Sequence, residues 1–230
     1  MTEIAPGSTK RTQVHRVPDR AVHDVEVLYS ILDAGLVAHV AVEDDQGQPY
    51  VIPVGYARMD HQVVFHGSTA SRLFKTLATG QPTCLTVTLL DGIVLARSAF
   101  ESSMNYRSVM VLGSARRLSG DEELAALQRI SEQLTPGRWE TARQPTPKQR
   151  AATLTLALSL DECSVKMRTG DPEDEPEDLV EAPYAQLWAG YVPLVECLGE
   201  PVADRHTAAD QPTAPEVLAW SHRPWLPAVQ

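Results

Sequence analysis

The segment HGSTASR, residues 66–72, has the residue types that a phosphate site requires. A strand end and a glycine lead into a predicted helix, and the first N–H groups of a helix attract anions. Ser68 and Ser71 add hydroxyl groups, and Arg72 adds a fixed positive charge that suits a phosphate. The alternative is an ordinary helix start, in which Ser68 or Thr69 caps the helix and nothing binds. The pattern alone leaves both interpretations open.

Three further segments carry groups that could contact a ligand. Asn105, in SSMNYRSV, could orient a ligand carbonyl or ring nitrogen, unless it belongs to an ordinary turn before a strand. Lys166 and Arg168 share one side of an extended segment, because side chains in a strand repeat every two residues. They could neutralise a phosphate, or they could simply face the acidic residues 171–178. Trp188, in the sequence WAG, could stack on a flat ring or fill the core.

The histidines and cysteines show no spacing that is typical of a metal site. The histidines are scattered, and His39 and His66 lie in predicted strands, where packed core histidines are the alternative. Cys84, Cys163 and Cys197 form no CxxC pair, so neither a disulfide framework nor a zinc site is predicted. The chain also lacks GxSxG, HExxH, P-loop and strand-linked GxGxxG motifs.

The composition is that of an ordinary globular protein. The 230 residues are 43% hydrophobic and 22% charged. The net charge of -10 is concentrated in the run 171–181, which has seven acidic residues and no basic ones, so the rest of the chain is close to neutral. There is no basic stripe to suggest a nucleic-acid surface and no apolar run to suggest a membrane span. The lack of a secretory signal and three free thiols favour the cytoplasm.

Hydrophobic periodicity predicts mainly antiparallel β-structure with about three helices. Asp91-Gly92 is a strong signal for a two-residue hairpin turn, Pro53 indicates a strand edge or a bulge, and Ser119 with Glu122 forms a capping-box sequence. The helix after Ser119 is expected to direct inward the side chains of Leu124, Leu127, Ile130 and Leu134. The predicted strands are 36–42, 49–59, 62–68, the 83–98 hairpin, 106–118, 153–160, 162–168 and 187–197, and the other predicted helices are 20–33, 69–80 and a short one near Pro147.

Many short strands with hairpin signals favour a closed barrel over a parallel sheet. We expect a flexible N-terminal arm at residues 1–18, one domain at 19–198, and a Pro-rich, largely extended tail at 199–230. Trp220 and Trp225 suggest that part of this tail docks on the domain.

Five motifs occur in a fixed order along residues 15–195: HGS..SR, C.TVT..DG.VLARS, NYRSV...G, K.R.G.P.D..ED and WAG..P. Together they resemble the flavin-nucleotide-binding, pyridoxamine-phosphate-oxidase-like family, which includes the nitroimidazole-resistance proteins. The resemblance implies that residues 19–198 form a six-stranded antiparallel split β-barrel with flanking helices. It also implies a homodimer that holds two FMN molecules between its subunits.

The resemblance further implies where the cofactor lies. Ser68, Ser71 and Arg72 would approach the FMN phosphate, and the isoalloxazine edge would face backbone groups at Pro53 and Val54. The other residues that it assigns to the cofactor, near the phosphate, the ribityl chain or the ring, are Gly67, Asn105, Arg107, Ser108, Lys166, Arg168 and Trp188.

The activity implied by the resemblance is that of an FMN-dependent oxidoreductase. Electrons would pass from NAD(P)H to a small organic acceptor such as a nitroaromatic or a quinone, and the redox chemistry would belong to the cofactor. His66 matches a family histidine and is the candidate proton donor near the reactive flavin. Glu101 stands where the family would have a histidine, which removes a second candidate.

Other functions fit the same barrel. It could hold a flavin or a haem as a carrier or sensor without turnover, and a haem iron would need an axial ligand such as His39, His66 or Cys84. A deazaflavin-dependent reductase is a further alternative. Pyridoxamine-phosphate oxidase activity itself is disfavoured, because the chain ends in a Pro-rich tail instead of that enzyme's substrate-binding signature.

Overall fold

The structure of the protein is a computed structural model in which residues 4–222 are described. The strands are β1 (Ala21–Val22), β2 (Val37–Glu43), β3 (Pro49–Met59), β4 (Gln62–Ser68), β5 (Pro82–Leu95), β6 (Ser103–Ser114), β7 (Arg116–Arg117), β8 (Thr153–Ser159), β9 (Cys163–Arg168) and β10 (Gly190–Pro193). The helices are α1 (Val25–Ala34), α2 (Arg72–Leu77), α3 (Gly120–Leu134), α4 (Arg138–Thr141), α5 (Pro147–Ala151) and α6 (Pro215–Leu218). None of the helices within residues 4–222 combines the length and the apolar character needed to cross a membrane.

The strands pair in the order β1-β9-β6-β5-β2-β3-β4-β8-β7, with β10 added to β5, and the pairs are antiparallel. β7 follows β6 after the single residue Ala115 and pairs with β8, so the sheet closes on itself. The prediction of a mainly antiparallel β fold with flanking helices is confirmed. The predicted count of six strands is corrected to ten. The difference arises because β1, β9 and β10 extend the sheet beyond the closed ring and β7 continues β6.

Two apolar clusters lie on the two faces of this sheet. The larger cluster fills the barrel and includes the fully buried side chains of Tyr56, Phe65 and Leu85. The smaller cluster lies between the sheet and α3 and contains Val64 and Ile130. Neighbouring residues of one strand serve opposite clusters because side chains alternate across a strand.

α1 closes one end of the barrel. Asp24 caps its first turn with its side chain, and the buried face carries Leu28, Ile31 and Leu32, which agrees with the predicted apolar periodicity. The hydroxyl of Tyr56 donates a hydrogen bond of 2.7 Å to the carbonyl oxygen of Leu32. Burial raises the pKa of Tyr56, so its hydroxyl stays protonated and holds α1 on β3.

The predicted hairpin at Asp91-Gly92 is wrong, because β5 runs through both residues as one strand with an irregularity between Leu90 and Gly92. The carboxylate of Asp91 binds Arg107 instead of closing a turn. Gly92 is needed for close packing, since a Cβ atom there would lie 2.9 Å from the carbonyl oxygen of Val192 in β10. Pairing on both sides of the strand overrides the local turn signal.

The predicted capping box at Ser119 is also wrong. The Ser119 side chain makes no capping hydrogen bond, and the carboxylate of Glu122 binds Arg116. The buried positions of α3 are Ala126, Ile130 and Gln133, whereas Leu124 and Leu134, both expected to face inward, are each 37% exposed.

The predicted short helix near Pro147 is confirmed as α5. It starts with a capping box, in which the Thr146 hydroxyl accepts from the N–H of Gln149 and the Gln149 side chain accepts from the N–H of Thr146. A cap of this kind stabilises a helix by about 0.5–2 kcal/mol. It fixes the direction in which the chain enters β8.

Both terminal segments contact the domain. In the arm, Gly7 donates a backbone hydrogen bond of 2.7 Å to the carbonyl oxygen of Cys163. The last predicted strand is limited to β10, and residues 194–213 are exposed without regular structure. In α6 and the turn after it, Glu216 accepts from Arg138, and the Trp220 indole donates to the carbonyl oxygen of Pro136. The expected docking of Trp220 is confirmed, and Trp225 lies outside the described residues.

A substitution at Gly67 would test how α2 packs on the barrel. A Cβ atom at Gly67 would lie 2.2 Å from the Phe74 ring. Overpacking of this kind costs about 1–3 kcal/mol, and each kcal/mol lowers the Tm of a chain this long by about 2–4 °C. We therefore expect Gly67→Ala to lower the Tm in a thermal unfolding experiment. Gly199→Ala is the control, because no atom lies within 4 Å of its Cβ position. Equal Tm values for the two variants would contradict this packing.

Candidate functional site

β3 and β4 stop pairing towards one end of the barrel, and the gap between their unpaired ends is called the cleft below. Their pairing ends at Tyr56 opposite Phe65. Over residues 49–55, β3 pairs with β2 alone. Within residues 4–222 the backbone at Pro53 and Val54 therefore has no strand partner on its second side, which confirms the prediction of a strand edge. Such an edge can exchange hydrogen bonds with a planar ligand.

α2 closes the floor of this cleft. Phe74 is buried, and its ring centroid lies 5.9 Å from that of Phe65 in β4. The ring packs against Gly67, which has no side chain to displace it. A buried apolar side chain therefore lies directly after the polar residues that begin α2.

The polar residues at the start of α2 are Ser68, Ser71 and Arg72. The Ser68 hydroxyl accepts a hydrogen bond of 3.1 Å from the N–H of Ala70. Ser71 is the N-cap residue, and its hydroxyl makes no capping hydrogen bond. The Arg72 guanidinium carbon lies 4.4 Å from the centre of the Tyr50 ring. Arg72 has no carboxylate at ion-pair distance in the part of the chain that the structure describes. Its charge nevertheless contributes, after the backbone N–H groups of Gln48 and Gln46, to lowering the pKa of Asp44, so one acidic group lies near it.

Arg107 forms a buried ion pair. Its guanidinium donates to both carboxylate oxygens of Asp91, with distances of 2.7 to 3.2 Å. The two side chains are 7% and 9% exposed. A pair of this geometry neutralises both charges, because the planar guanidinium matches the carboxylate.

Asn105 and Arg168 are buried in a second polar cluster beside this pair. Arg168 donates a hydrogen bond of 2.6 Å to the Asn105 side chain and one of 2.9 Å to the carbonyl oxygen of Asp171. The Asn105 amide donates a hydrogen bond of 3.0 Å to the carbonyl oxygen of Gly170. These contacts fix the start of the acidic segment on the ends of β6 and β9.

Asp174 continues the attachment of the acidic segment. Its side chain is 5% exposed and binds both the N–H and the guanidinium of Arg97, at 2.7 and 2.6 Å. The run 171–181, interpreted from sequence as a solvated loop, is therefore partly anchored by buried charge.

Other predicted site residues lie near this region. The Ser108 hydroxyl donates to the carbonyl oxygen of Lys166, and the Lys166 ammonium donates to the carbonyl oxygen of Arg16. Trp188 is 68% exposed and covers Gly190. In the sheet, β5, β2 and β3 lie between β6 and β4. No hydrogen bond or ion pair within residues 4–222 joins this region to the start of α2.

His66 lies on the outer side of β4, opposite Thr155 of β8. It opens into a pocket of about 280 Å³ whose other lining residues are Leu127, Arg143, Pro145, Gln149, Arg150 and Thr153. Partial desolvation by these neighbours lowers the pKa of His66, although the residue as a whole is exposed. The neutral imidazole therefore predominates near pH 7.

His39 and Cys84 lie on a different part of the outer surface. His39 is exposed, opposite Pro53 on β3 and Thr86 on β5, and Cys84 lies opposite Ala41. Exposed Val37 and Val51 flank this face. Burial raises the pKa of the Cys84 thiol. No group of three metal-ligating side chains occurs among the described residues.

The model of the pyridoxamine 5'-phosphate oxidase family matches residues 24–167, which is more than half of the chain. The chain belongs to this family. The resemblance drawn from the five sequence motifs is confirmed. The sequence has no match among the curated proteins.

Two solved structures resemble this family member along most of its length. The FAD- and haem-binding protein from Mycobacterium smegmatis is 38% identical, with 88% of this chain and 97% of that chain covered and a TM-score of 0.83. The flavocytochrome Anf3 from Azotobacter vinelandii is 39% identical, with 94% and 98% covered and a TM-score of 0.85. A protein from Bacteroides thetaiotaomicron described as a 5-nitroimidazole antibiotic resistance protein is 18% identical, covers 64% of this chain and 85% of its own, and has a TM-score of 0.55, which shows a shared fold.

Sequence reasoning missed the pocket residues Arg143 and Arg150 of this family member. They lie in a Pro- and Gln-rich segment without a recognisable motif. Their position depends on α5, which brings them against His66, a residue about 80 positions earlier in the chain. The capping signal at Thr146 predicts the helix but not its neighbour.

The Asp91–Arg107 pair is testable by removing one charge. We expect Asp91→Ala to lower the free energy of unfolding by about 3–5 kcal/mol, because the Arg107 charge would stay buried without a partner. Urea unfolding measures the change. The double variant Asp91→Leu/Arg107→Met is the control and should recover most of the loss, since it removes both charges. A single-variant loss below about 1 kcal/mol would contradict the buried pair.

Proposed function

We propose that the protein is a flavin-binding oxidoreductase that holds the FMN moiety of its cofactor in the cleft between β3 and β4. The observation that carries this proposal is the similarity to two flavin proteins, at 38% and 39% identity over almost the whole chain. Electrons would pass from a nicotinamide donor to a small organic acceptor such as a nitroaromatic or a quinone. We place this activity in the cytoplasm, where free cysteines such as Cys84, Cys163 and Cys197 persist.

The residues of the cleft fit the chemistry of this group. The free backbone edge at Pro53 and Val54 supplies hydrogen-bonding groups for the polar rim of a flat ring. Ser71 and Arg72 supply a hydroxyl and an exposed positive charge for a phosphate. α2 has only six residues, so most of the attraction comes from the arginine and little from the helix dipole.

The chain's own residues would bind and orient the cofactor, which supplies the electron-transfer chemistry when bound. Phe74 and the β3 backbone would fix the plane of the ring and exclude water from one side. His66 was predicted to donate a proton to the reacting flavin. That role remains a prediction. Unchanged turnover in His66→Ala would remove it.

A second copy of the chain would complete the site. Exposed apolar side chains on the outer surface of the sheet include Val37 and Val51, at 47% and 56% exposure. Burial of this surface in a homodimer would bring Lys166 and Trp188 of one subunit towards Arg72 of the other. We propose this arrangement because, within residues 4–222 of one chain, no hydrogen bond or ion pair joins Lys166 or Trp188 to Arg72.

The dimer is tested by placing a charge on this surface. We expect Val51→Lys to convert a homodimer into a monomer in sedimentation measurements, because a buried lysine without a partner costs several kcal/mol. Val202→Lys is the control, since Val202 is 94% exposed in the tail. A monomeric unsubstituted protein, or a dimer unaffected by Val51→Lys, would contradict the proposed interface.

Flavin binding is tested by the absorbance of the purified protein and by mass spectrometry of the compound released on heating. We expect about one flavin per chain. Arg72→Ala should weaken flavin binding about 10- to 100-fold, because it removes a charge-assisted hydrogen bond to the phosphate. Lys75→Ala, on the same helix, is the control. A protein that takes up neither FMN nor FAD would overturn the proposal.

A second proposed function is haem binding by the same chain. The observation that favours it is that the Mycobacterium smegmatis structure is described as binding haem together with FAD, and the Azotobacter vinelandii structure as a flavocytochrome. Haem needs an axial side-chain ligand, and His39, His66 and Cys84 offer suitable atoms. A Soret band beside the flavin peaks in the same absorbance spectrum would support it. Flavin peaks alone would exclude it.

A further inference from the structure

We propose that the pocket between β4, α3 and α5 binds a small monocarboxylate with an apolar body, such as an aromatic acid of one ring. The lining of this pocket, which was described above beside His66, combines two arginines with other polar side chains and two apolar residues. The inference does not rest on the proposed flavin or haem binding.

One edge of the Arg143 guanidinium has no partner in the protein within residues 4–222. Its Nη1 atom donates hydrogen bonds of 2.9 Å to the carbonyl oxygen of Gln144 and 3.2 Å to the side-chain oxygen of Gln149. Its Nε and Nη2 atoms make no hydrogen bond to the described residues, and no described carboxylate lies at ion-pair distance. A guanidinium edge of this kind binds a carboxylate through two parallel hydrogen bonds.

Arg150 adds a second donor to the pocket. Its Nη2 atom donates 2.8 Å and 3.2 Å hydrogen bonds to the Glu123 carboxylate and to the carbonyl oxygen of Gly120. Its Nε atom is buried and has no hydrogen-bond partner among the described atoms. A buried donor without a partner is unfavourable, and a ligand oxygen in the pocket would satisfy it.

The neighbouring polar side chains leave further N–H groups for a ligand. The side-chain oxygen of Gln149 accepts from Arg143 and from the N–H of Thr146, so the amide N–H groups of Gln149 remain for other partners. The Thr153 hydroxyl already donates to the carbonyl oxygen of Gln149. The groups that remain for a ligand are therefore mainly donors, which suits an anion.

The charges of the lining residues indicate an anion with a single negative charge. Arg150 is neutralised by Glu123, and desolvation lowers the pKa of His66, so its imidazole is mainly neutral near pH 7. Arg143 is thus the one charged lining residue that lacks a carboxylate at ion-pair distance within residues 4–222. A carboxylate would balance this charge, whereas a phosphate monoester carries close to two negative charges and would leave an excess.

The size and the apolar part of the pocket limit the body of the ligand. Its volume of about 280 Å³ lies slightly below the range of roughly 300–1,000 Å³ that is usual for drug-sized ligands, which favours a smaller molecule. Half-buried Leu127 and Pro145 are the apolar residues of the lining. They suffice to cover one ring, and an acid without an apolar body, such as acetate, would leave them in contact with water.

Two short helices hold the donors in position before a ligand arrives. The capping box of α5 fixes Gln149, and Arg150 follows it in the same helix. α4 ends at Thr141, two residues before Arg143, and the Thr141 hydroxyl donates a hydrogen bond of 2.8 Å to Glu216. Donors that are positioned in advance lose little conformational freedom on binding.

The test is calorimetric titration of the purified full-length protein with benzoate. We expect about one benzoate per chain. Benzamide has the same shape and no charge, so it should bind about tenfold more weakly or less. Arg143→Gln should weaken benzoate binding by a similar factor and leave the Tm unchanged, because Arg143 makes few contacts within the protein. Lys148→Gln removes the same charge from the exposed side of α5 and is the matched control.

A second variant tests the buried donor. Arg150→Lys keeps a positive charge for Glu123 but removes the Nε–H group. We expect benzoate binding to weaken about three- to tenfold, which corresponds to the loss of one hydrogen bond. Circular dichroism and thermal unfolding of each variant check that the barrel is folded.

Competition experiments separate the proposed ligand from other anions. Inorganic phosphate that displaces benzoate at lower concentrations than benzoate itself requires would overturn the assignment to a monocarboxylate. Displacement by FAD but not by FMN would assign the pocket to the second phosphate of a dinucleotide and overturn it as well. A protein that binds no benzoate, or one whose benzoate binding is unchanged in Arg143→Gln, would refute the site. The flavin proposal is judged separately, by absorbance.

Discussion

The separation of β3 from β4 is the feature on which the proposed flavin site depends. The two strands pair as far as Tyr56 and Phe65, and from there their backbones leave one another. Phe74 fills the space that opens, and Gly67 makes room for its ring. Without this plug, the cleft would expose the interior of the barrel to water. With it, the barrel keeps a closed core and still presents an unpaired strand edge to solvent.

At the other end of the sheet, buried charged side chains hold neighbouring strands together. The Asp91–Arg107 pair and the Arg168–Asn105 contact hold the ends of β5, β6 and β9 together in a fixed register. Buried pairs contribute little net stability, because desolvation offsets the attraction, but removal of one partner leaves the other charge buried and uncompensated. The acidic segment after Arg168 is thereby directed back over the sheet towards Arg97.

Much of the fold can be predicted from the sequence because its signals are local and repeated. The alternation of Leu154, Leu156 and Leu158 predicts β8 without any knowledge of its neighbours. The prediction of a turn at Asp91-Gly92 is wrong for two reasons. A distant residue, Arg107, binds the aspartate, and β10 pairs with a segment about 100 positions before it. Strand pairing over such distances leaves no mark in a short window of sequence.

The candidate sites also differ in whether their residues are adjacent in the sequence. The serines and the arginine that begin α2 are contiguous, so their pattern shows in the sequence. The pocket beside His66 is assembled from β4, α3 and the segment before β8, so only the folded chain reveals it. Residue types predict what each group can bind, whereas tertiary packing decides which groups meet.

The way in which the C-terminal helix docks would allow two copies of the chain to exchange α6. α6 is connected to β10 by about twenty exposed residues, and it is held by a few contacts with α4. A connection of that length does not dictate whether α6 occupies its own α4 or that of a neighbouring molecule. Reciprocal exchange would preserve every contact while interlocking two chains, as in domain swapping. Interlocked chains would separate only after both helices had detached, so such an assembly would persist on dilution.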